Sequence, residues 1–138
     1  MQKTTIGRAA KKANVNIETI RFYERKRLIE QPPQPLQGYR IYPTATVERI
    51  RFIRQAQDLG FSLAEISGLL SLRADPNSDC SQVRLHAQQK LDEVERKIEA
   101  LNTMRQSLRT LVNACPGSGA LETCTIMGTL TSPANEEH

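Results

Sequence analysis

Three thiols are the most reactive groups in this 138-residue chain: Cys80, Cys115 and Cys124, separated by 35 and then 9 residues. An odd number of cysteines leaves one over from any disulfide scheme, so metal ligation or redox chemistry is the more natural use. Three thiolates without a neighbouring histidine form a soft donor set. Such a set selects Hg(II), Pb(II), Cd(II), Cu(I) or Zn(II) and rejects Mg(II) and Ca(II). Zinc normally completes a tetrahedron, yet the only histidines are His86 and His138. His86 reads as an ordinary surface or interface residue, and His138 ends a polar tail. A three-coordinate thiophilic ion fits best, Hg(II) first and Pb(II) behind it. The bland alternative is that each cysteine is a small buried hydrophobe. Against it, Cys115 and Cys124 bracket a Pro/Gly loop.

A second chemistry lies upstream. Residues 1–58 carry 12 basic and 5 acidic side chains, a net +7, whereas residues 59–138 carry 7 and 10, a net −3. The run from Thr19 to Arg27 (TIRFYERKR) mixes Arg, Lys, Thr and Tyr with two apolar anchors. A helix in a DNA groove uses this mixture: guanidinium and ammonium for base edges or phosphates, hydroxyls for backbone oxygens. Arg40 stands between Tyr39 and Tyr42, and Arg49, Arg51 and Arg54 follow.

The elements that must position these groups can be read from spacing. Ile6, Ala9, Ala10 and Ala13 predict a helix over about 5–13. Asn14-Val15-Asn16 supplies a turn and cap, and a second helix follows over about 17–27, with Ile17, Ile20 and Tyr23 on one face. Together they read as a helix-turn-helix. Prolines in Gln31–Pro35 exclude helix there, and the alternation of Gly38–Tyr42 predicts a strand in a small β-wing. Helices are expected over about 44–58 and 62–73, the latter started by the capping box of Ser62 and Glu65.

After the breaker Asp75–Ser78, no Pro or Gly occurs until Pro116. That predicts one long helix over about 79–114. Positions 87, 91, 94, 98, 101, 105, 108 and 112 hold Ala, Leu, Val, Ile, Leu, Arg, Leu and Val. This is a heptad seam broken only at Arg105, and it argues for a coiled coil with a second copy of the chain. Packing against the first half is the alternative, but the helix is too long to be covered that way. Cys80 and Cys115 then sit about 52 Å apart at 1.5 Å per residue. They cannot share a site within one chain. An antiparallel homodimer brings the partner subunit's Cys80 beside Cys115 and Cys124. A last short helix is expected over about 124–130, and residues 131–138 as a flexible tail.

The fold class is therefore mainly α: a winged helix-turn-helix DNA-binding domain (1–75), a dimerisation helix (76–114), and a metal-binding loop with a short helix (115–130). The chain is too short for a large two-domain enzyme. It shows no nucleophile–histidine pair, clustered carboxylates or phosphate-binding glycine loop. No stretch approaches the ~20 apolar residues of a membrane span, and no secretory signal opens the chain, so a cytoplasmic protein is expected.

The sequence resembles the MerR family of transcriptional regulators over nearly its whole length. The resemblance is carried by Thr5-Ile6-Gly7 with Ala9-Ala10, by Glu18–Glu24 (ETIRFYE), by Gly38–Tyr42 (GYRIY) and by Gln57–Ile66 (QDLGFSLAEI). Cys80 is similar to the divalent-metal sensors, where the monovalent-metal sensors carry Ser. The cysteine spacing resembles the mercuric and lead regulators. Asn14–Tyr23 and Pro33–Pro43 lean toward the mercuric branch, while Asn113–Gly117 is more like the copper and zinc branches. The zinc branch usually has a second Cys and a His in the loop; here Pro116 follows Cys115 and no His is present.

What the resemblance implies is a homodimer on promoter double-stranded DNA whose −10 and −35 elements are too widely spaced for RNA polymerase. Metal at the three cysteines would reshape the DNA through the coiled coil, against a deformation energy on the order of a few kcal/mol. It also implies DNA contacts by Arg21, Tyr23, Tyr39 and Arg40, and by Arg54; Thr19 joins them from its place on the reading helix. A thiol redox switch, with Cys115 and Cys124 forming a disulfide, is the remaining alternative on the same scaffold.

Overall fold

The computed structural model describes residues 3–133; His138 and most of the expected tail lie outside the described residues. The elements run α1 (Ile6–Ala13), α2 (Ile17–Arg25), α3 (Thr44–Asp58), α4 (Leu63–Ala74), α5 (Cys80–Ala114), a 3-10 turn (Leu121–Thr123) and α6 (Thr125–Thr131). Two compact units divide between Lys90 and Leu91, inside α5. No described helix is long and apolar enough to cross a membrane.

The first unit is built by short helices with well-made ends. Asn14 ends α1 in the left-handed conformation at φ 56°, its amide turned back to the carbonyls of Ala10 and Lys11. Asn tolerates that backbone better than most residues do. Asn16 then caps α2, its side chain accepting from the Thr19 amide at 2.8 Å. Only Val15 separates the caps of α1 and α2, so the helices must turn sharply. Ala9, Ala10 and Ala13 of α1 present small buried surfaces that let α2 and α3 approach closely. Ile20, Tyr23, Ile50, Ile53 and Ile66 are the fully buried large side chains, and Leu28, Ile29, Tyr42, Val47 and Leu70 complete this core.

Two expectations need correction. α2 stops at Arg25, not 27: Arg27 takes a positive φ of 60°, which turns Leu28 and Ile29 into the core. Among the described residues there is no strand, so the wing is not a β-wing. The reason is the opposing arm. Pro32, Pro33 and Pro35 have no amide to donate, and a ladder cannot form against them. Isolated bonds hold the wing instead. Tyr42 donates its amide to Thr4 O at 2.8 Å, Arg40 Nε donates to Pro32 O at 2.9 Å, and Gln34 Nε2 donates to Gly38 O at 3.3 Å. The Tyr42 hydroxyl donates to Glu24 Oε2 at 2.8 Å, tying wing to α2.

At the head of α4, Ser62 and Glu65 form the expected reciprocal capping box. α5 runs for 35 residues, and along its second part Leu91, Val94, Ile98, Leu101, Leu108 and Val112 are all exposed in the single chain. The seam predicted from the heptads is thus an exposed apolar stripe, interrupted at Arg105. In the second unit, the 3-10 turn and α6 pack together, and Thr125 Oγ1 donates to Ala114 O at 3.3 Å, holding the start of α6 against the end of α5. α6 ends at Thr131, one residue beyond the expected end of the last helix.

Candidate DNA interface and thiol site

The first unit carries the candidate DNA-reading groups on α2, the wing and α3. Arg21 projects from α2 and is exposed, with a 3.5 Å ion pair to Glu18 one turn away. A surface pair of that length is worth little and is easily exchanged for a phosphate. Thr19 is half-buried, and its hydroxyl donates to the capping Asn16 Oδ1 at 2.8 Å. Arg54 of α3 makes a 3.5 Å pair with Asp58, half exposed. Thr19 and Arg54 line one shallow concavity between α2 and α3, together with Asn16, Glu18 and Gln57. Tyr39 stands out from the wing at 78% exposure, and Arg40 beside it is partly buried by its bond to Pro32 O.

Tyr23 lies at the floor of the same concavity. Its ring is fully buried and its hydroxyl donates to Gln57 Oε1 at 2.6 Å. Burial pushes the phenol up from its ordinary range. The physical reason is the helical spacing Ile20–Tyr23, which sends both side chains to the same inward face. Two other arginines of the basic segment are also committed to the fold. Arg49 Nε donates to Leu28 O at 2.7 Å, and an Arg51 terminal nitrogen donates to Lys12 O at 2.9 Å. Lys26 and Arg25 lie over the Phe22 ring at 5.7 and 5.9 Å. Sequence reasoning missed the link between Tyr42 and Glu24; a tyrosine two residues past the wing arginine carried no mark of it.

The second unit brings two of the three thiols together. Cys115 follows the last residue of α5, its amide bonded to the carbonyls of Leu111 and Val112. Its Sγ accepts from the Gly117 amide at 3.5 Å. Gly117 can point that amide inward because it adopts φ 83°, a conformation that favours glycine. Cys124 immediately precedes α6. Its thiol is held below the usual thiol range by the Met127 amide first, and also by the Ile126 amide and the Cys115 thiol. A depressed thiol pKa means more thiolate, the form that binds metal. Both sulfurs are half-buried, and Cys80, the first residue of α5, is exposed. Among the described residues of a single chain, no group of three His, Cys, Asp or Glu side chains is assembled to hold a metal. The donor set therefore fits a thiophilic ion in a specific way: one half-site of two soft sulfurs, lacking a third donor from its own chain.

Comparison with known proteins covers both units. The family model of MerR HTH regulatory proteins matches residues 4–72, and the model described as MerR, DNA binding, matches residues 47–111. The mercuric resistance operon regulatory protein of Serratia marcescens is 42% identical over 130 residues, covering 94% of this chain and 89% of its own. Among solved structures, the regulator PbrR691 of Ralstonia metallidurans CH34 in complex with lead(II) has a TM-score of 0.81 at 29% identity. It covers 92% of this chain and 98% of that one. The dual-function regulator MerR of Bacillus megaterium MB1 in complex with mercury(II) has a TM-score of 0.72 at 36% identity, with 94% and 99% covered. The chain belongs to the MerR family of helix-turn-helix regulatory proteins: it is a DNA-binding transcription regulator of the metal-responsive kind, not an enzyme.

Proposed function

We propose that this chain is a cytoplasmic, homodimeric sensor of Hg(II) that activates a metal-resistance promoter by distorting its DNA. Residues 1–75 serve as the DNA-binding domain, 76–114 as the dimerisation helix, and 115–130 as the metal-binding segment. The observation that carries this reading is the half-site itself. Cys115 and Cys124 converge at one end of α5, Cys80 opens the other end, and the apolar stripe between them asks for an antiparallel second copy. In that dimer, Cys115 and Cys124 meet the partner subunit's Cys80. Those three thiolates would hold a thiophilic ion, which would join the two subunits.

The chain's own residues supply the rest. Arg21, Tyr39, Arg40 and Arg54 grip promoter DNA, with Thr19 near the backbone, and the dimer spaces two such heads for RNA polymerase to find a realigned promoter. Hg(II) is favoured by the mercuric resistance relative and by the mercury-complexed structure, whose identity to this chain exceeds that of the lead-complexed one. Pb(II) is the second reading, favoured by the higher TM-score of the lead-complexed structure. The contact between Cys115 and Cys124 also leaves a redox response as a distant third.

A promoter-reporter panel tests the ion. Hg(II) should induce at the lowest concentration, with Pb(II), Cd(II) and Zn(II) weaker; induction by Zn(II) alone, or by peroxide with Cys80 dispensable, contradicts the reading. A second expectation concerns the DNA face. Arg21→Ala should weaken operator binding by about 1–3 kcal/mol and flatten its salt dependence if the guanidinium reaches a phosphate. Affinities measured across a salt series check both. Unchanged affinity would remove Arg21 from the interface.

A further inference from the structure

Lys90 is the one buried charged residue among the described residues, 8% exposed, and none of the roles above uses it. Its ammonium lies 2.9 Å from Glu65 Oε1 and 5.7 Å over the Phe61 ring. Its stem lies beside Gly60, where a Cβ would stand in ordinary contact with Lys90 Cδ at 3.9 Å. Glu65 is no idle partner. The same Oε1 accepts the Ser62 amide at 2.8 Å, while the Glu65 amide donates to Ser62 Oγ at 3.1 Å. The Ser62 amide first, and Lys90 with it, hold the Glu65 carboxyl down to about 2. One carboxylate oxygen thus starts α4 and grips α5.

Burying a charge opposes folding unless the ion pair returns something an apolar side chain would not. A leucine at position 90 would also cover Phe61, but apolar contacts have no preferred direction along a helix axis. A charge-assisted hydrogen bond does. It fixes the register of α5 against the N-terminus of α4, and α4 in turn sends Ile66 and Leu70 into the core that holds α2 and α3.

We propose that Lys90 is a positioning residue of the switch: its ion pair with Glu65 transmits displacement of α5 to α4, and through the shared core to the DNA-reading helices. This rests on the reading that α5 carries the signal from the thiol site. The proposal adds the joint at which that signal enters the head.

The test uses the full-length reduced dimer with Hg(II) as probe. Two quantities are read on each variant: thiolate-to-mercury absorption, and hydrogen exchange of the α4 amides with and without the ion. In the wild type, Hg(II) should change α4 exchange by roughly fivefold or more, the lower range of ordinary coupling between sites. Glu65→Gln keeps the cap, because Gln serves at that position of a capping box, yet removes the charge. Lys90→Met keeps the stem and removes the ammonium. Both should take up Hg(II) normally while the α4 response falls below about twofold, and Lys90→Arg should restore it. A merely structural role would lower protection with and without metal alike and leave the ratio unchanged. A wild-type response in both charge-removing variants overturns the joint, as does mercury uptake by the wild type with no response in α4. Failure of the wild type to take up Hg(II) at all would instead bring down the sensor reading, and the joint with it.

Discussion

Exchange of Cys124 for serine is expected to abolish Hg(II)-dependent activation while leaving affinity for duplex DNA unchanged. The thiol has two jobs in the structure. It supplies one of the two sulfurs that converge in the second unit, and it is the one whose thiolate is favoured by the Met127 and Ile126 amides and by Cys115. Serine keeps the position before α6, and its hydroxyl can still accept from those amides. It does not ionise at neutral pH and is a hard donor, so the soft ion loses a ligand. Losing a group that merely orients a ligand already costs about 10–100-fold in metal affinity; losing the ligand itself should cost more. Mercury titration and operator binding, measured on the same preparation, check the separation. A parallel loss of DNA affinity would show that serine had disturbed the fold rather than the site.

The second large effect is expected from Leu108→Asp. Leu108 lies on the exposed stripe of α5 at 60% exposure, in an open apolar groove shared with Leu101, Met104 and Val112. In a symmetric dimer the substitution appears twice. Forfeiting two buried leucines costs about 3–6 kcal/mol before any penalty for burying the carboxylates. At 1.4 kcal/mol per tenfold, dimer dissociation should rise by roughly a hundredfold to ten-thousandfold. The first unit should be spared, because its core draws on α1 to α4 and the segments between them, and takes nothing from the stripe. Sedimentation should show monomer with an unchanged helical signal, together with loss of mercury uptake. A stable dimer would mean that the stripe pairs with something other than its twin.

How much of this was legible in the sequence depends on the range of the interaction. Helix ends set within a few residues could be read directly, since Asn16 and the Ser62–Glu65 box are local chemistry. The long helix was legible from the absence of Pro and Gly before Pro116, and its pairing face from a heptad seam broken only at Arg105. The pairing of Cys115 and Cys124 followed from the loop they bracket. The wing failed as a strand because its alternation was read without asking what its proline-rich neighbour could donate. Tyr23 fits two patterns at once, because its spacing with Ile20 turns the ring inward while its hydroxyl meets Gln57 at the floor of the concavity. Arg49 and Arg51 looked like part of a DNA surface until their carbonyl partners, 21 and 39 residues away, appeared. Lys90 was invisible for the same reason. On a charged helix nothing local distinguishes a lysine bound to Glu65 from one in water.

The central claim is that each thiol site is shared between two subunits, and mixing tests it most directly. Cys80→Ser subunits are combined with Cys115→Ser/Cys124→Ser subunits, and mercury absorption is followed. Neither homodimer should show the three-thiolate spectrum. The mixed dimer should recover it at one ion per dimer, because only there does an intact Cys115–Cys124 pair face an intact Cys80 of the other subunit. A full spectrum from the Cys80→Ser homodimer, or a silent mixture, would contradict the account.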